Sequence, residues 1–271
     1  MGLKGRSCEQ EEENMKVVIL CGGKGTRLRE KTESLPKALI EIGGRPILWH
    51  IMKIYAAHGF DDFVICLGYK GQMIKEYFME SQSWRYQDFS LDLRNGRPEV
   101  KIHEERPEKW KIAFADTGEE TNTGGRIKKI QPLMDEDTFM VTYGDGVSDI
   151  NIKKLLEFHR AHGRVGTVTA VNPPSQFGLL EIEKNGRVNS FREKPKTDRW
   201  INGGFFIFQK KFFDYLGEND VLEQAPLEKL SKEGGLAAYC HEAYWKCMDT
   251  YKDTLVLNEA WEKGKAPWKT W

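Results

Sequence analysis

Three glycines crowd the segment that directly follows the first apolar run of the chain. Residues 16–21 read KVVILC, and residues 22–28 continue as GGKGTRL. Glycines let a backbone approach a ligand closely, and their N–H groups can hold phosphate oxygens, which the planar guanidinium of Arg27 also suits. The segment matches neither the P-loop pattern GxxxxGK[ST] nor the dinucleotide pattern GxGxxG. These residues therefore predict a phosphate-binding loop, with a glycine-rich turn that carries a surface arginine as the alternative.

Two aspartates follow segments that predict strands. Asp145 comes after the apolar run TFMVTY and lies between two glycines, and Asp249 comes after WKCM and precedes a helical pattern. Open α/β sheets bind ligands at the carboxyl ends of their strands, so Asp145 is a candidate functional residue. The alternatives are a turn residue at Asp145 and a helix N-cap at Asp249.

The segments that carry and surround these residues alternate between short apolar runs and amphipathic stretches. This alternation predicts a Rossmann-like, three-layer α/β fold, with a mixed, mostly parallel sheet and helices on both faces. We expect strands at residues 16–21, 62–67, 111–115, 138–143, 165–171, 179–183, 187–191 and 203–208. We expect helices at residues 47–58, 72–79, 126–133, 152–162 and 253–263. Residues 83–98 fit neither pattern and indicate an inserted loop or an oligomer contact.

The composition excludes some classes of protein. The 271 residues carry 41 Lys+Arg and 41 Asp+Glu, a formal net charge of +0, which argues against nucleic-acid binding through bulk charge. No apolar run approaches the roughly 20 residues that a membrane span needs. The cysteines number 5 and form no CxxC pair, which indicates reduced thiols and a cytoplasmic protein.

A second motif follows the glycine loop. Residues 35–39 read LPKAL, and GGKGTRL followed by this motif resembles the signature of sugar-phosphate nucleotidyltransferases. The resemblance extends to DTG at 116–118, TGGR at 123–126, YGDG at 143–146, FREKP at 191–195, INGGFF at 201–206 and MDT at 248–250. It runs from Met15 to Trp271, with residues 83–98 as the loose part. The family's usual PKP is PKA here, which leaves Lys37 in place.

The resemblance implies a reaction and the residues that perform it. It implies transfer of a cytidylyl group from CTP to α-D-glucose 1-phosphate without a covalent intermediate, with Mg²⁺ as cofactor. CTP is expected because DTG with TGGR replaces the nucleotide-reading segment usual in thymidylyl and uridylyl relatives. The catalytic residues implied are Arg27, Lys37, Asp145 and Lys194, and the implied Mg²⁺ ligands are Asp145 and Asp249. The substrate-binding residues implied are Leu20, Cys21, Gly22, Gly23, Lys24, Gly25, Thr26, Arg27, Lys37, Thr121, Arg126, Gly144, Glu193, Lys194, Asn202 and Gly203.

Some of these residues also have simpler interpretations. Glu193 and Lys194 would bind the sugar and its phosphate, or would form a solvated charge pair. Arg126 would contact CTP, or would be a surface cation on a short helix. His159 and His162, spaced i, i+3, could pair on a metal, but a solvated helix face explains them as well.

The expected organisation is a disordered extension over residues 1–14 and one catalytic domain over residues 15–271. Within that domain the nucleotide-binding half covers about 15–150, and the sugar-binding and oligomer-contact half covers about 151–271. The expected partners are the two small-molecule substrates and further copies of the chain, with neither nucleic acid nor membrane. The resemblance also suggests a role in O-antigen supply. Two other functions stay open: the same reaction with UTP or dTTP, and a catalytically silent regulatory module that binds sugar nucleotides.

Overall fold

Seven strands in the described part of the chain form one central sheet. The computed structural model describes residues 15–28, 32, 34–80, 89–94, 96, 99–102, 108–175, 177–196 and 199–271, so the predicted extension at 1–14 lies outside the described residues. The strands are β1 (Lys16–Leu20), β2 (Glu41–Ile42), β3 (Arg45–Pro46), β4 (Asp62–Leu67), β5 (Phe89–Asp92), β6 (Glu99–Ile102), β7 (Lys111–Asp116), β8 (Thr138–Tyr143), β9 (Gly146–Ser148), β10 (Gly166–Val171), β11 (Leu179–Ile182), β12 (Val188–Arg192), β13 (Ile201–Gln209), β14 (Leu236–His241) and β15 (Trp245–Cys247). The α-helices are α1 (Ile47–Ala56), α2 (Gly71–Glu80), α3 (Thr123–Lys129), α4 (Ile152–His162), α5 (Ala225–Lys232) and α6 (Tyr251–Glu262).

The central sheet runs in the order β14-β10-β13-β8-β1-β4-β7. Strand β13 pairs antiparallel with β8 and β10, and the remaining pairs in this sheet are parallel. The expected mixed, mostly parallel sheet is therefore confirmed. Strands from both sides of residue 150 belong to this one sheet. The assignment of nucleotide binding to residues 15–150, and of sugar binding and oligomer contacts to residues 151–271, stays a prediction.

Helices cover both faces of the sheet because its central strands are apolar on both sides. In β1, Val17 and Ile19 face one buried core, whereas Val18 and Leu20 face the other. Helices α1, α2, α4 and α6 contribute side chains to the first core, and α3 and α5 contribute to the second. These layers hold the carboxyl ends of β1 and β8 side by side.

Most predicted elements match the observed ones, and two larger elements were missed. The bounds of β4, β8 and α4 agree with the predicted ranges. The helix expected at 126–133 divides into α3 and a 3₁₀ turn at Gln131–Leu133, where Pro132 lacks the N–H that would continue an α-helix. Helix α5 and strand β14 were not predicted. Within residues 83–98, the described part includes β5, which pairs antiparallel with β6.

The aromatic C-terminal segment closes the first core against α1. Trp268 is fully buried, and its indole N–H donates a hydrogen bond to His50 Nδ1 at 3.3 Å. The ring of Trp261 lies edge-on to His50, with 4.7 Å between the centroids. Burial lowers the pKa of His50 to about 4, so its ring is neutral and able to accept this bond.

In the part of the chain that the structure describes, no helix has the length and apolar character needed to cross a membrane.

Candidate active site

Two neighbouring cavities open at the carboxyl ends of the central strands. The larger, of about 410 Å³, lies between the glycine loop, the start of α3 and the turn after β8. Its lining includes the predicted residues Leu20, Cys21, Gly22, Gly23, Gly25, Thr26, Lys37, Thr121, Arg126, Gly144, Asp145 and Asp249. The smaller, of about 330 Å³, is lined by Asn202 and Gly203 among others. Tyr143, Asp145 and Asp249 line both cavities, so the two spaces adjoin at these side chains.

A half-buried ion-pair cluster lies at this boundary. The Lys37 ammonium donates to Asp145 Oδ2 at 2.6 Å and to Asp249 Oδ1 at 2.7 Å. The three side chains come from a 3₁₀ turn after Pro36, from the end of β8 and from the segment before α6. Burial opposes the charge on Lys37, but the neighbouring carboxylates outweigh it and leave the pKa of Lys37 raised. The fold therefore holds a cation between two carboxylates that are 108 and 212 positions away from it.

The interpretation of Asp249 as a helix cap is wrong. The N-cap of α6 is Thr250, whose hydroxyl accepts a hydrogen bond from the N–H of Asp253 at 3.2 Å. Asp253 in turn accepts from the N–H of Thr250 at 2.8 Å, which completes a capping box. Since these residues cap the helix, the Asp249 carboxylate is available to the cluster with Lys37.

Cys247 is a member of this site that the sequence reasoning missed. Its sulfur and one carboxylate oxygen from each of Asp145 and Asp249 lie within 4.8 Å of one another. The thiol hydrogen-bonds to Asp249, and burial, with the Asp145 charge as a further cause, raises the pKa of Cys247. The available signal was its spacing of two residues from Asp249, because residues i and i+2 share one side of an extended chain.

Arg126 is buried, so its interpretation as a surface cation is wrong. Its guanidinium donates to the carbonyls of Leu67, Gly118, Gly22 and Glu119 at 2.9, 2.7, 3.1 and 3.1 Å, and to Thr117 Oγ1 at 2.7 Å. Burial lowers the pKa of Arg126. The side chain therefore ties the glycine loop to the ends of β4 and β7 while it lines the larger cavity.

Two of the predicted glycines are required by close packing. A Cβ atom on Gly22 would lie 2.0 Å from Arg126 Nη1, and one on Gly144 would lie 2.8 Å from Cys21 Sγ. By contrast, a Cβ atom on Gly23 would meet no heavy atom within 4 Å. The glycine at 22 thus makes room for the guanidinium, and the glycine at 144 lets the turn after β8 approach β1.

Polar contacts at the mouth of the larger cavity hold the remaining nucleotide-side residues. The Thr121 hydroxyl donates to the Thr117 carbonyl at 2.6 Å. Lys24 forms an ion pair with Glu120, which links the glycine loop to the segment before α3. Arg27 lies in a 3₁₀ turn at Thr26–Leu28, and its side chain is outside the described part of the structure.

Tyr143 connects the two cavities through its hydroxyl. The hydroxyl donates to Glu223 in the larger cavity and accepts from Asn202 Nδ2 at 3.3 Å in the smaller one. Glu223 also accepts from Thr123 Oγ1 at 2.9 Å. Burial, followed by the Glu223 carboxylate, raises the pKa of Tyr143, so its proton stays on the oxygen. Neither Tyr143 nor Glu223 was predicted as a site residue: Tyr143 stood in the YGDG motif without a role of its own, and nothing in the local sequence distinguishes Glu223.

Glu193 and Lys194 directly follow strand β12 of the β11–β12 hairpin. Their side chains are 62% and 53% exposed, and Lys194 Nζ lies 3.7 Å from Glu193 Oε1. Among the described residues, neither belongs to the lining of the two cavities. Their contact with each other is that of a solvated charge pair, and a sugar-binding role for them stays a prediction.

The histidines of α4 serve the packing of the helix. His159 Nδ1 and His162 Nε2 lie 2.7 and 2.8 Å from the same atom, Thr167 Oγ1. His159 is buried, so a solvated helix face is the wrong interpretation for it. Burial, followed by the charge of His162, lowers the pKa of His159 to about 4.

Comparison with known proteins places this geometry in a family context. Residues 16–261 match the family described as nucleotidyl transferase. The chain is 49% identical over 261 residues to the glucose-1-phosphate cytidylyltransferase of Salmonella typhi, covering 95% of this chain and 100% of that protein. It is 46% identical over 259 residues to the probable glucose-1-phosphate cytidylyltransferase of Bacillus subtilis, with 95% and 100% covered. The crystal structure of HddC from Yersinia pseudotuberculosis superposes with a TM-score of 0.67 at 25% identity, covering 91% of this chain and 99% of that one.

Proposed function

The chain belongs to the nucleotidyl transferase family, and on that premise we propose that it transfers the cytidylyl group of CTP to α-D-glucose 1-phosphate. The products are CDP-glucose and pyrophosphate. The observation that carries the choice of substrates is the near-full-length similarity to glucose-1-phosphate cytidylyltransferases. The cavities support it, since two adjoining spaces suit two substrates that must react with each other.

The larger cavity takes CTP, and the smaller takes the sugar phosphate beside Asn202 and Gly203. A phosphate oxygen of the sugar forms a bond to the α-phosphorus of CTP, while the bond from that phosphorus to the pyrophosphate oxygen breaks. The attacking oxygen is already an anion, so the reaction needs neither a nucleophilic side chain nor a general base. Catalysis then consists of positioning and charge stabilisation, which the boundary between the cavities can supply.

Asp145 and Asp249 would hold Mg²⁺ in this proposal. Carboxylate oxygens are the donors that Mg²⁺ prefers, and one or two carboxylates are its usual protein ligands. The fit is supported by the Lys37 ammonium, which lies 2.6 and 2.7 Å from these two carboxylates and marks the place as one that stabilises positive charge. When bound, Mg²⁺ neutralises negative charge on phosphate oxygens.

The basic residues of the proposal act on either side of this centre. Lys37 and Arg27 stabilise the charge that develops on the leaving pyrophosphate. Arg126 acts on the nucleotide side, where its five hydrogen bonds also position the glycine loop. Glu193 and Lys194 bind the sugar hydroxyls and the sugar phosphate with side chains that are exposed and open to a ligand.

The proposal includes a homo-oligomer that acts in the cytoplasm. Exposed apolar side chains on the hairpin support self-association, since Ile182 and Phe191 are 61% and 62% exposed. The cysteines of the described part, Cys21, Cys66, Cys240 and Cys247, are free thiols, as a reducing compartment would keep them.

A nucleotide panel tests the function. CTP, UTP, dTTP and ATP are each incubated with glucose 1-phosphate and Mg²⁺, and pyrophosphate release is measured. We expect kcat/KM with CTP to exceed the other values by at least about tenfold, a difference of about 1.4 kcal/mol in transition-state binding. A higher value with UTP or dTTP would refute the choice of nucleotide. A protein that binds CTP without releasing pyrophosphate would instead be the regulatory module.

A further inference from the structure

Cys247 lies at the two carboxylates that the proposed function assigns to a divalent cation. Its sulfur and the oxygens of Asp145 and Asp249 form a set in which every pair of atoms is within 4.8 Å. Two ligands on one ion at about 2.0–2.3 Å each can be no more than about 4.6 Å apart, so small side-chain rotations suffice to close this set. The three donors can therefore reach a single ion.

The strand pairing places Cys247 beside Asp145. Cys247 ends β15, and its register partner on β9 is Gly146. Gly146 directly follows Asp145, so this antiparallel register brings Cys247 next to the aspartate. Cys247 also lines the smaller cavity together with both aspartates, so an ion from solvent can reach all three.

A thiolate changes which ions such a site prefers. Two carboxylates alone suit a hard cation such as Mg²⁺, whereas sulfur selects softer ions, and Zn²⁺ is held by mixed cysteine and carboxylate sets. From this geometry we propose that Cys247 is a third protein ligand at the Asp145–Asp249 site and that the site takes a thiophilic divalent cation, Cd²⁺ or Zn²⁺, in competition with Mg²⁺. The thiol proton passes to solvent when the sulfur binds the ion.

Lys37 sets the starting condition for this binding. Its ammonium contacts Asp145 Oδ2 and Asp249 Oδ1, and an incoming cation must share or replace these contacts. Lysine has a flexible stem and acts as a point charge, so it can withdraw as the ion takes over the neutralisation. The inference rests on the proposed cation position but needs neither nucleotide nor turnover.

The test titrates Cd²⁺ into the full-length protein without substrates and follows thiolate-to-cadmium charge-transfer absorbance in the near ultraviolet. We expect one equivalent of this signal from Cys247 in the wild type and in Cys240→Ser, which removes an exposed free thiol as the matched control. Cys247→Ser should lose that equivalent and weaken Cd²⁺ affinity by more than about tenfold, since even lost outer-shell partners cost about 10- to 100-fold. Mg²⁺ should lower the apparent Cd²⁺ affinity of the wild type.

A second measurement does not depend on how the variants fold. Wild-type protein is alkylated with iodoacetamide with and without Cd²⁺, and modified peptides are quantified by mass spectrometry. Cd²⁺ should protect Cys247 and leave Cys240 as reactive as before. Retention of the full signal in Cys247→Ser, or equal alkylation of Cys247 in both conditions, would overturn the inference. Cd²⁺ binding at Cys247 in a protein that fails the nucleotide panel would leave the inference standing and refute only the proposed function.

Discussion

The strand-end site, formed by Lys37, Arg126, Asp145 and Asp249, contrasts with the β11–β12 hairpin that leads to Glu193 and Lys194. In the strand-end site, side chains are buried or half-buried, and hydrogen bonds connect separate elements. At the hairpin, the two charged residues are exposed, and the contact between them is 3.7 Å. Both regions carry predicted site residues, but the fold organises them to very different degrees.

The contrast indicates how each of the two proposed substrates would be bound. Parallel strands buried on both faces fix the positions of their carboxyl ends, so the strand-end site has its geometry before any ligand arrives. The hairpin has few neighbours, and Leu180 and Ile182 on it are 50% and 61% exposed. Changes at the strand-end site should therefore alter stability or turnover, whereas changes at the hairpin should alter sugar-phosphate binding alone.

The largest effect should come from Asp145→Asn. The amide keeps the shape of the side chain but removes the charge that faces Lys37 and the proposed Mg²⁺ ion. We expect kcat for pyrophosphate release to fall by about 100- to 1,000-fold, with CTP binding retained in calorimetry. The control is Asp135→Asn. This carboxylate is 88% exposed and lies beside Lys16, at the amino end of β1 and therefore away from the strand-end site. Equal activity of both variants would remove Asp145 from the mechanism.

Arg126→Met should come next and should act mainly on stability. The change removes five hydrogen bonds that the charged guanidinium donates, three of them buried. We expect the free energy of unfolding in urea to fall by about 3 kcal/mol, because a hydrogen bond to a charged group contributes about 1.5–3 kcal/mol. Lys153→Met, at an exposed position of α4, is the control and should change it by less than about 0.5 kcal/mol. An unchanged free energy in Arg126→Met would contradict the positioning role.

Two glycine variants test the close packing between Arg126 and the glycine loop. Gly22→Ala places a methyl group 2.0 Å from the Arg126 guanidinium, whereas Gly23→Ala meets no heavy atom within 4 Å. Overpacking costs about 1–3 kcal/mol, so Gly22→Ala should lower the free energy of unfolding by about 2 kcal/mol in urea without nucleotide. Gly23→Ala should stay within about 0.5 kcal/mol of the wild type. Equal effects of the two changes would show that the loop does not need Arg126 close to it.

The smallest effect should come from Lys194→Ala on the hairpin side. We expect the KM for glucose 1-phosphate to rise about tenfold, which corresponds to the loss of about 1.4 kcal/mol from a charge-assisted contact. The KM for CTP and the free energy of unfolding should not change, since the side chain is 53% exposed. Lys184→Ala, at the exposed turn of the same hairpin, is the matched control. A loss of stability in Lys194→Ala would contradict the expectation that changes at the hairpin alter sugar-phosphate binding alone.

The sequence predicted elements best where they are buried on both faces or strongly amphipathic. Strands β4 and β8 have long apolar runs, and α4 has a capping Asn151 and a terminal Gly163, so their bounds were predictable. Strand β14 reads LAAYCH, which has two alanines and weak alternation, and it forms because β10 offers a parallel partner. The local sequence pattern of β14 does not show that β10 offers a free edge for it to pair with.

Within the candidate site, local motifs identified the chain segments but not the contacts. The glycine loop, Lys37, Asp145 and Asp249 each stood out by neighbouring residues, and the structure brings all of them to one cavity. Glu223 and Cys247 did not stand out, because their importance depends on what the fold places opposite them. The cap at Thr250 likewise became clear only when the Asp253 side chain was seen to reach back to it.

The sequence by itself determined the class of fold, the position of the glycine loop and the set of charged residues, because periodicity and short motifs are local properties of the chain. Tertiary structure decided that Lys37 lies between two carboxylates, that Arg126 is buried among carbonyls and that the sulfur of Cys247 lies close to the carboxylates of Asp145 and Asp249. It also decided that Glu193 and Lys194 are exposed and do not line the two cavities. The physical reason is that side-chain pairing and burial depend on which strands become neighbours in the sheet. Residues that lie 108 or 212 positions apart in the sequence have no local pattern that would show this neighbourhood.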